Sequence, residues 1–331
     1  MKIKKLNIGL IGLGNQGKSH LQKCLLAKEI EIGGVADFST SALNFAKKAG
    51  VKKRYKTYEG LLHDKDINAV IISLPNFLHA EAVIKAAEAG KDILLEKPLA
   101  RSVKEGEEML SYVRRYGVKL MVGYPLRFNP VLQSLREKIN DGFLGEVEIA
   151  EAVNLSSGPF TSRGNDQGPT PVPSWWFDSG LVGGGVLLDL GSHMIDLLTW
   201  YFGEAEGASS ILGHNFNLDV EDTATCLIKF RNGPVGIVNV GWFSKEMAVS
   251  VDLYGTVKHL GEKLSSSSTM GFIWRDIKKR LGVSLTDPLT AELEHFVQSI
   301  QNDLPPSPSA EDALVSLRTI CMAYDNINKF A

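Results

Sequence analysis

The chain has 331 residues, 44% hydrophobic and 22% charged, with a formal net charge of −2. That length suits two domains better than one, and a near-neutral balance without long runs of either sign excludes the charge-driven classes, nucleic-acid and membrane-surface binders. Three scattered cysteines (Cys24, Cys226, Cys321) with no CxxC argue against a disulfide framework or a cysteine metal site, and for a cytoplasmic protein with reduced thiols.

The first segment, MKIKKLNIGLIGLG, has the basic start and apolar run of a signal peptide. The run is short, broken by glycine and lacks a small-residue cleavage site, so it reads as a strand over 3–11. GLGNQG follows, then KSHLQKCLLAKE with helical spacing. Gly12, Gly14 and Gly17 therefore form G-x-G-x-x-G between a strand and a helix, the context in which that motif holds a dinucleotide. The first glycine makes the tight turn, the second admits a pyrophosphate, and the third lets helix and strand pack. The loop, Asn15 and Gln16 included, leads into a helix N-terminus that offers its N–H groups to phosphate.

A second strand, EIGGVAD, ends at Asp37, 20 residues after Gly17. A carboxylate there accepts hydrogen bonds from the adenosine ribose hydroxyls and repels a 2′-phosphate. No arginine follows in DFSTSAL to receive that phosphate. The expected cofactor is NAD, with NADP as the alternative.

Alternation continues through strand 68–75, helix 79–90 ended by Gly90, strand 92–98, helix 102–117 and strand 119–125. This pattern predicts a doubly wound parallel sheet, which binds ligands at the carboxyl ends of its strands. Pro75, Asn76, Glu96, Lys97, Pro98, Tyr124 and Pro125 occupy those ends. Lys97, after the apolar run Ile93–Leu95 and before a proline, is placed to hold a substrate hydroxyl and favour its ionisation.

After about residue 126 the pattern changes. A helix near 129–140 precedes strand-like alternation in 145–156, 222–243 and 247–264, with Asn232-Gly233 as a hairpin turn. Consecutive strands without helices between them predict mainly antiparallel pairing. Residues 156–185 form a long polar loop carrying Trp175 and Trp176, which either stack on a sugar or nicotinamide ring or anchor the loop. Helices over 289–302 and 310–329 close the chain, the second opened by Ser309 and Asp312 in capping-box spacing.

The stretch GGGVLLDLGSHMIDLLTWYFG (183–203) is a core helix by apolar content. No apolar stretch, this one included, is expected to reach bilayer-spanning length. At about 100° per residue, Asp189, Ser192, His193, Asp196 and Thr199 share one stripe within a third of the circumference. Buried charge needs a partner, so that stripe faces a hydrogen-bonding neighbour, water or a ligand.

Taken together, GLIGLGNQGKSH, SLPNFLHAEAVIKAAEAGKDILLEKPLA, GGGVLLDLGSHMIDLL, EDTATCLIKFRNG and PPSPSAEDALVSL make the chain resemble the Gfo/Idh/MocA oxidoreductases. That family is named after glucose–fructose oxidoreductase, inositol dehydrogenase and a rhizopine catabolism protein. The combination of E-K-P with a distant D-x-G-x-H is the specific part. The resemblance implies an α/β fold: a Rossmann domain over 1–125, then an α+β domain over 126–331 with an open, mainly antiparallel sheet that pairs subunits into a homodimer or homotetramer. It implies hydride transfer between nicotinamide and a secondary hydroxyl of a sugar, cyclitol or nucleotide-sugar, without a metal. The family's catalytic lysine falls on Lys97 and its Asp/His pair on Asp189 and His193. His193 is the general acid/base, Asp189 the group that orients substrate or steadies the imidazolium. Cofactor contacts fall on Gly12–Gly17, Asp37, Ser73, Leu74, Pro75, Asn76, His79, Glu96 and Lys97. Asp196 reads as a structural hydrogen-bonder. In GYPLRFNP, Arg127, Phe128 and Pro130 fit the family pattern while Pro125 and Leu126 depart from it, leaving Tyr124 and Arg127 as substrate-side candidates beside the tryptophans. Two rival readings are a retained-cofactor enzyme, by transhydrogenation or redox-assisted glycoside cleavage, and a non-catalytic cofactor sensor, which would have no need of Lys97, Asp189 and His193 together.

Overall fold

A computed structural model describes residues 5–160, 172–231, 233–264 and 287–327. Asn232 of the expected turn lies outside them. The chain forms two compact units, one of 1–128 and 288–314, the other of 129–287 and 315–331.

The first unit is built on strands β1 (Leu6–Ile11), β2 (Ile30–Ala36), β3 (Arg54–Tyr55), β4 (Ala69–Ile72), β5 (Asp92–Glu96) and β6 (Leu120–Gly123). They lie in the order 3-2-1-4-5-6, all parallel, the doubly wound arrangement. Parallel strands covered on both faces need no polar alternation, which is why β4 reads Ala-Val-Ile-Ile and is buried throughout. Helices α1 (Asn15–Leu26), α2 (Thr40–Lys48), α3 (Tyr58–Leu62), α4 (His79–Glu88) and α5 (Val103–Tyr116) connect them. Their ends follow local chemistry. The Ser102 hydroxyl accepts from the Glu105 N–H at the start of α5, and Gly117 closes it at φ +65°.

The second unit holds α6 (Pro130–Asn140), β7 (Val147–Leu155), the short α7 (Ser179–Val182), α8 (Val186–Phe202), β8 (Ala205–Gly213), β9 (Thr223–Phe230), β10 (Val235–Gly241), β11 (Ala248–Gly255) and β12 (His259–Lys263). Its sheet runs 12-11-7-10-9-8. Every neighbouring pair is antiparallel except β7 with β10, so the pairing is mixed and mainly antiparallel. α8 packs on β10, β7 and β9. The opposite face of the sheet leaves Ile149, Ile211, Leu227 and Val235 each more than 40% exposed.

Two expectations need correction. The second domain does not take everything after residue 126. Helix α9 (Pro288–Gln301) returns to the first unit, because Leu293, Phe296 and Val297, at helical spacing, are buried in one core with β1 and α1. Each such buried side chain contributes about 1.5–3 kcal/mol. The stretch 179–202, spanning α7 and α8, is long enough for a membrane span and holds an 18-residue window of matching hydropathy (mean hydropathy 1.4), yet 72% of that window is buried. It is a core helix. Helix α10 (Ala310–Asp325) opens as its capping box requires: the Asp312 N–H donates to Ser309 Oγ at 3.1 Å and the Ser309 N–H to Asp312 Oδ2 at 2.8 Å.

Candidate active site

The glycine loop has the three geometries the motif calls for. Gly12 has φ +88°, and a Cβ there would lie 2.5 Å from the Ser73 carbonyl oxygen. A Cβ on Gly17 would collide with the Gly12 carbonyl, so helix and loop close directly on each other. Gly14, between them, has open space where its Cβ would stand, and no side chain caps α1. The first-turn N–H groups around Asn15, Gln16 and Gly17 lack intrahelical partners by construction. An open cradle at an uncapped helix start fits a pyrophosphate. Beside it the buried hydroxyl oxygen of Ser73 has no hydrogen-bond partner among the described residues, a second feature that fits a bound ligand. Leu74, Pro75 and Asn76 continue that segment, all half-buried.

Asp37 stands half-buried just past β2. The Leu13 N–H donates to its Oδ2 at 2.7 Å and the Ser39 N–H to its Oδ1 at 2.7 Å. Two backbone donors, one from the glycine loop and one from Ser39, fix the carboxylate, an arrangement that fits a ribose-binding carboxylate.

At the end of β5, Glu96 is buried and Lys97 half-buried, and the Lys97–Pro98 peptide is cis. His20 and Glu96 meet at 2.7 Å, Nε2 to Oε1. His79 is only 1% exposed, with Nδ1 at 2.9 Å from the Pro98 carbonyl and Nε2 at 2.9 Å from the Leu74 carbonyl. Burial holds its imidazole below its ordinary pKa. Both ring nitrogens are spent on backbone, so His79 ties the 73–76 segment to the backbone that follows Lys97. Tyr124 and Arg127 are likewise buried, at 1% and 5% exposure, and Arg127 Nη1 lies 3.6 Å from the Asp312 carboxylate. As placed, they pack the first unit and present little surface to a substrate.

In the second unit, α8 answers the puzzle of its polar residues. From Val186 to Thr199 every residue is buried except Asp189 and His193, which are half-exposed. Four residues apart, they share one face. Asp189 Oδ2 accepts the Trp242 indole N–H at 3.3 Å. Asp196 is buried, and its Oδ1 accepts from Ser316 at 3.1 Å, the structural role expected.

The entrance of α8 is held by Glu221, a residue missed in the sequence. Its carboxylate accepts the Gly185 N–H at 2.9 Å, the Leu187 N–H at 3.0 Å and the Tyr324 hydroxyl at 2.6 Å. Its own carbonyl accepts from Val186 at 3.0 Å. A carboxylate at a helix N-terminus satisfies orphan donors and complements the helix dipole. The glycines serve this packing: a Cβ on Gly184 would strike the Tyr324 hydroxyl, and one on Gly185 the Glu221 backbone. Trp175 and Trp176 are half-buried in a short turn over 174–177, ring centroids 5.6 Å apart. Trp242 carried no signal beyond its place in a strand-like stretch, and Glu221 heads EDTATCLIKFRNG without its role being legible there, because both roles depend on contacts distant in sequence.

The family described as "Oxidoreductase family, NAD-binding Rossmann fold" matches residues 6–124, and the GFO/IDH/MocA C-terminal domain matches 132–260. The chain belongs to the Gfo/Idh/MocA oxidoreductase family. It is an enzyme of that family with an NAD-binding Rossmann domain, and the sugar and cyclitol dehydrogenases are its relatives. The uncharacterized oxidoreductase YrbE of Bacillus subtilis is 30% identical over 71% of this chain and 67% of its own length. The myo-inositol 2-dehydrogenase of Thermotoga maritima is 25% identical over 94% of this chain and 93% of its own. In fold, the chain superimposes on the WlbA dehydrogenase of Bordetella pertussis, solved with NADH and UDP-GlcNAcA, with TM-score 0.81, 21% identity, and coverage of 98% of this chain and 96% of that one.

Proposed function

We propose that this enzyme transfers hydride between NAD and a secondary hydroxyl, or the matching ketone, of an unphosphorylated sugar or cyclitol. The single observation that carries the reading is the pair Asp189 and His193, the two half-exposed residues in an otherwise buried run of α8. Beyond the Trp242 bond to Asp189, a proton acceptor on the same helix face as a carboxylate is what alcohol oxidation requires.

The nicotinamide, when bound, accepts the hydride. Gly12–Gly17, Asp37 and Ser73–Asn76 hold the cofactor. His193 removes the hydroxyl proton during oxidation and returns it during reduction. Asp189, held by the Trp242 N–H, orients the substrate or steadies the imidazolium. Lys97 supplies positive charge to the oxygen as its proton leaves. Trp175 and Trp176 offer flat apolar faces to a sugar ring. The exposed face of the β7–β12 sheet joins subunits into a homodimer or homotetramer.

The test is reduced-nicotinamide formation with NAD or NADP across a panel of sugars, cyclitols, sugar acids and nucleotide-sugars. Lys97→Met and His193→Ala should each lower turnover by about 10²-fold or more, the scale of general acid–base loss, with NAD affinity nearly intact. Unchanged turnover in either variant removes that residue from the mechanism. Silence of the wild type across the panel, with NAD bound, overturns the substrate class.

A further inference from the structure

Lys97 is flanked on each side by a residue tied to a buried histidine. On one side, Glu96 Oε1 lies 2.7 Å from His20 Nε2, and His20 is 1% exposed. On the other, the Pro98 carbonyl lies 2.9 Å from His79 Nδ1. Each histidine leads back to a cofactor segment. His20 sits on α1, three residues beyond Gly17 of the glycine motif. The second nitrogen of His79 lies 2.9 Å from the carbonyl of Leu74, in the 73–76 segment. In its neutral form His79 donates to one of the two carbonyls, and when protonated to both.

His20 is the more telling of the two. Its Nδ1 is buried and has no hydrogen-bond partner among the described residues. An orphaned N–H in that place would be costlier than an orphaned lone pair, so the ring proton belongs on Nε2, aimed at Glu96. Packing alone would favour an apolar side chain there, which leaves no polar atom stranded. Among the described residues, the polarity of His20 serves its bond to Glu96.

We propose that His20 and His79 are positioning residues for Lys97, coupling the glycine-loop helix and the 73–76 segment to the residues on either side of the lysine. This rests on the reading of Lys97 as a group that acts on substrate. β5 ends at Glu96, so Lys97 is the first residue past the ladder, and the sheet does not itself fix it. The two contacts restrain the residues on either side of it. Cofactor bound on the glycine loop then meets a lysine whose location is already set, the preorganisation that orientation-dependent chemistry needs.

The test uses a matched pair of amides in the full chain. In H20Q the amide nitrogen stands where Nε2 stood and still donates to Glu96. In H20N it stands where Nδ1 stood and does not reach. Lysines are labelled by reductive ¹³C-methylation and the Lys97 resonance is assigned by its loss in K97R. Turnover is read with the first sugar or cyclitol of the panel that reacts, and NAD affinity by titration. The expected result is a displaced or broadened Lys97 resonance and about a tenfold lower kcat in H20N, with KM and NAD Kd within about threefold of wild type, and near wild-type behaviour in H20Q. H79Q is expected to move the same resonance. Identical Lys97 resonances and kcat in H20N and H20Q, with H79Q silent, overturn the proposal. A K97M variant that keeps full turnover while H20N still displaces the resonance sinks the catalytic reading of Lys97 and leaves the positioning intact, so the two failures are distinguishable.

Discussion

Asp37 shows how its surroundings orient one side chain. Its oxygens take one N–H from the glycine loop and one from Ser39, each at 2.7 Å. Both bonds fix its orientation and leave further lone pairs for ribose hydroxyls. The structure adds a cation near this corner. Lys56 Nζ donates to Thr40 Oγ1 at 2.8 Å and to the Phe38 carbonyl at 3.2 Å. The sequence excluded only a following arginine, since Lys56 arrives from just past β3, a strand of two residues too short to read. Asp37→Ala should therefore weaken NAD binding by about tenfold, the loss of one or two hydrogen bonds, and narrow the gap to NADP. Titration of both cofactors against wild type and variant checks it. A wild type that binds NADP far more tightly than NAD would defeat the assignment of Asp37.

At the scale of elements, the legible parts were those whose signal is local. The β–α alternation, the glycine loop, the Ser309/Asp312 box and the polar stripe on α8 are each written within a few neighbouring residues. The β8 strand, Ala-Glu-Gly-Ala-Ser-Ser-Ile-Leu-Gly, went unseen because small residues give little strand preference, and pairing with β9 makes it a strand. The return of α9 to the first unit was hidden because a helix's apolar stripe does not say which core it fills. Glu221 was hidden for the same reason: its partners Gly185, Leu187 and Tyr324 lie 36, 34 and 103 residues away. The α8 entrance depends on it. Glu221→Ala strips that carboxylate from the Gly185 and Leu187 N–H groups and from the Tyr324 hydroxyl, and should destabilise the second unit by about 3 kcal/mol. Tyr324→Phe removes one bond and should cost about 1 kcal/mol. Denaturant unfolding checks both. Equal, negligible losses would mean that α8 is held by its apolar packing alone.

For the whole molecule, the open sheet of the second unit sets the remaining question. Its covered face carries Ala150, Ala152, Cys226, Ile228, Val238 and Val240, all buried. Its other face alternates with these and mixes apolar with polar side chains. Ile149, Leu227 and Val235 stand exposed, while Asn239 links Thr225 (2.8 Å) and Glu151 (2.9 Å) across three strands. Antiparallel sheets tolerate a wet face, so exposure alone does not demand a partner. The apolar share of this face is what a subunit would cover, and the Thr225–Asn239–Glu151 bonds meet part of the hydrogen-bonding need of its polar share. Leu227→Asp places a charge at the middle strand of one side of that face, between Ser209 and Ile237 and diagonal to Ile211 and Val235. A dimer or tetramer joined there should dissociate in the variant at concentrations where wild type stays assembled, read by light scattering coupled to gel filtration. NAD affinity should hold, since the cofactor residues belong to the first unit. A wild type that is monomeric at all concentrations, or an oligomer that Leu227→Asp leaves intact, would remove this face from the assembly.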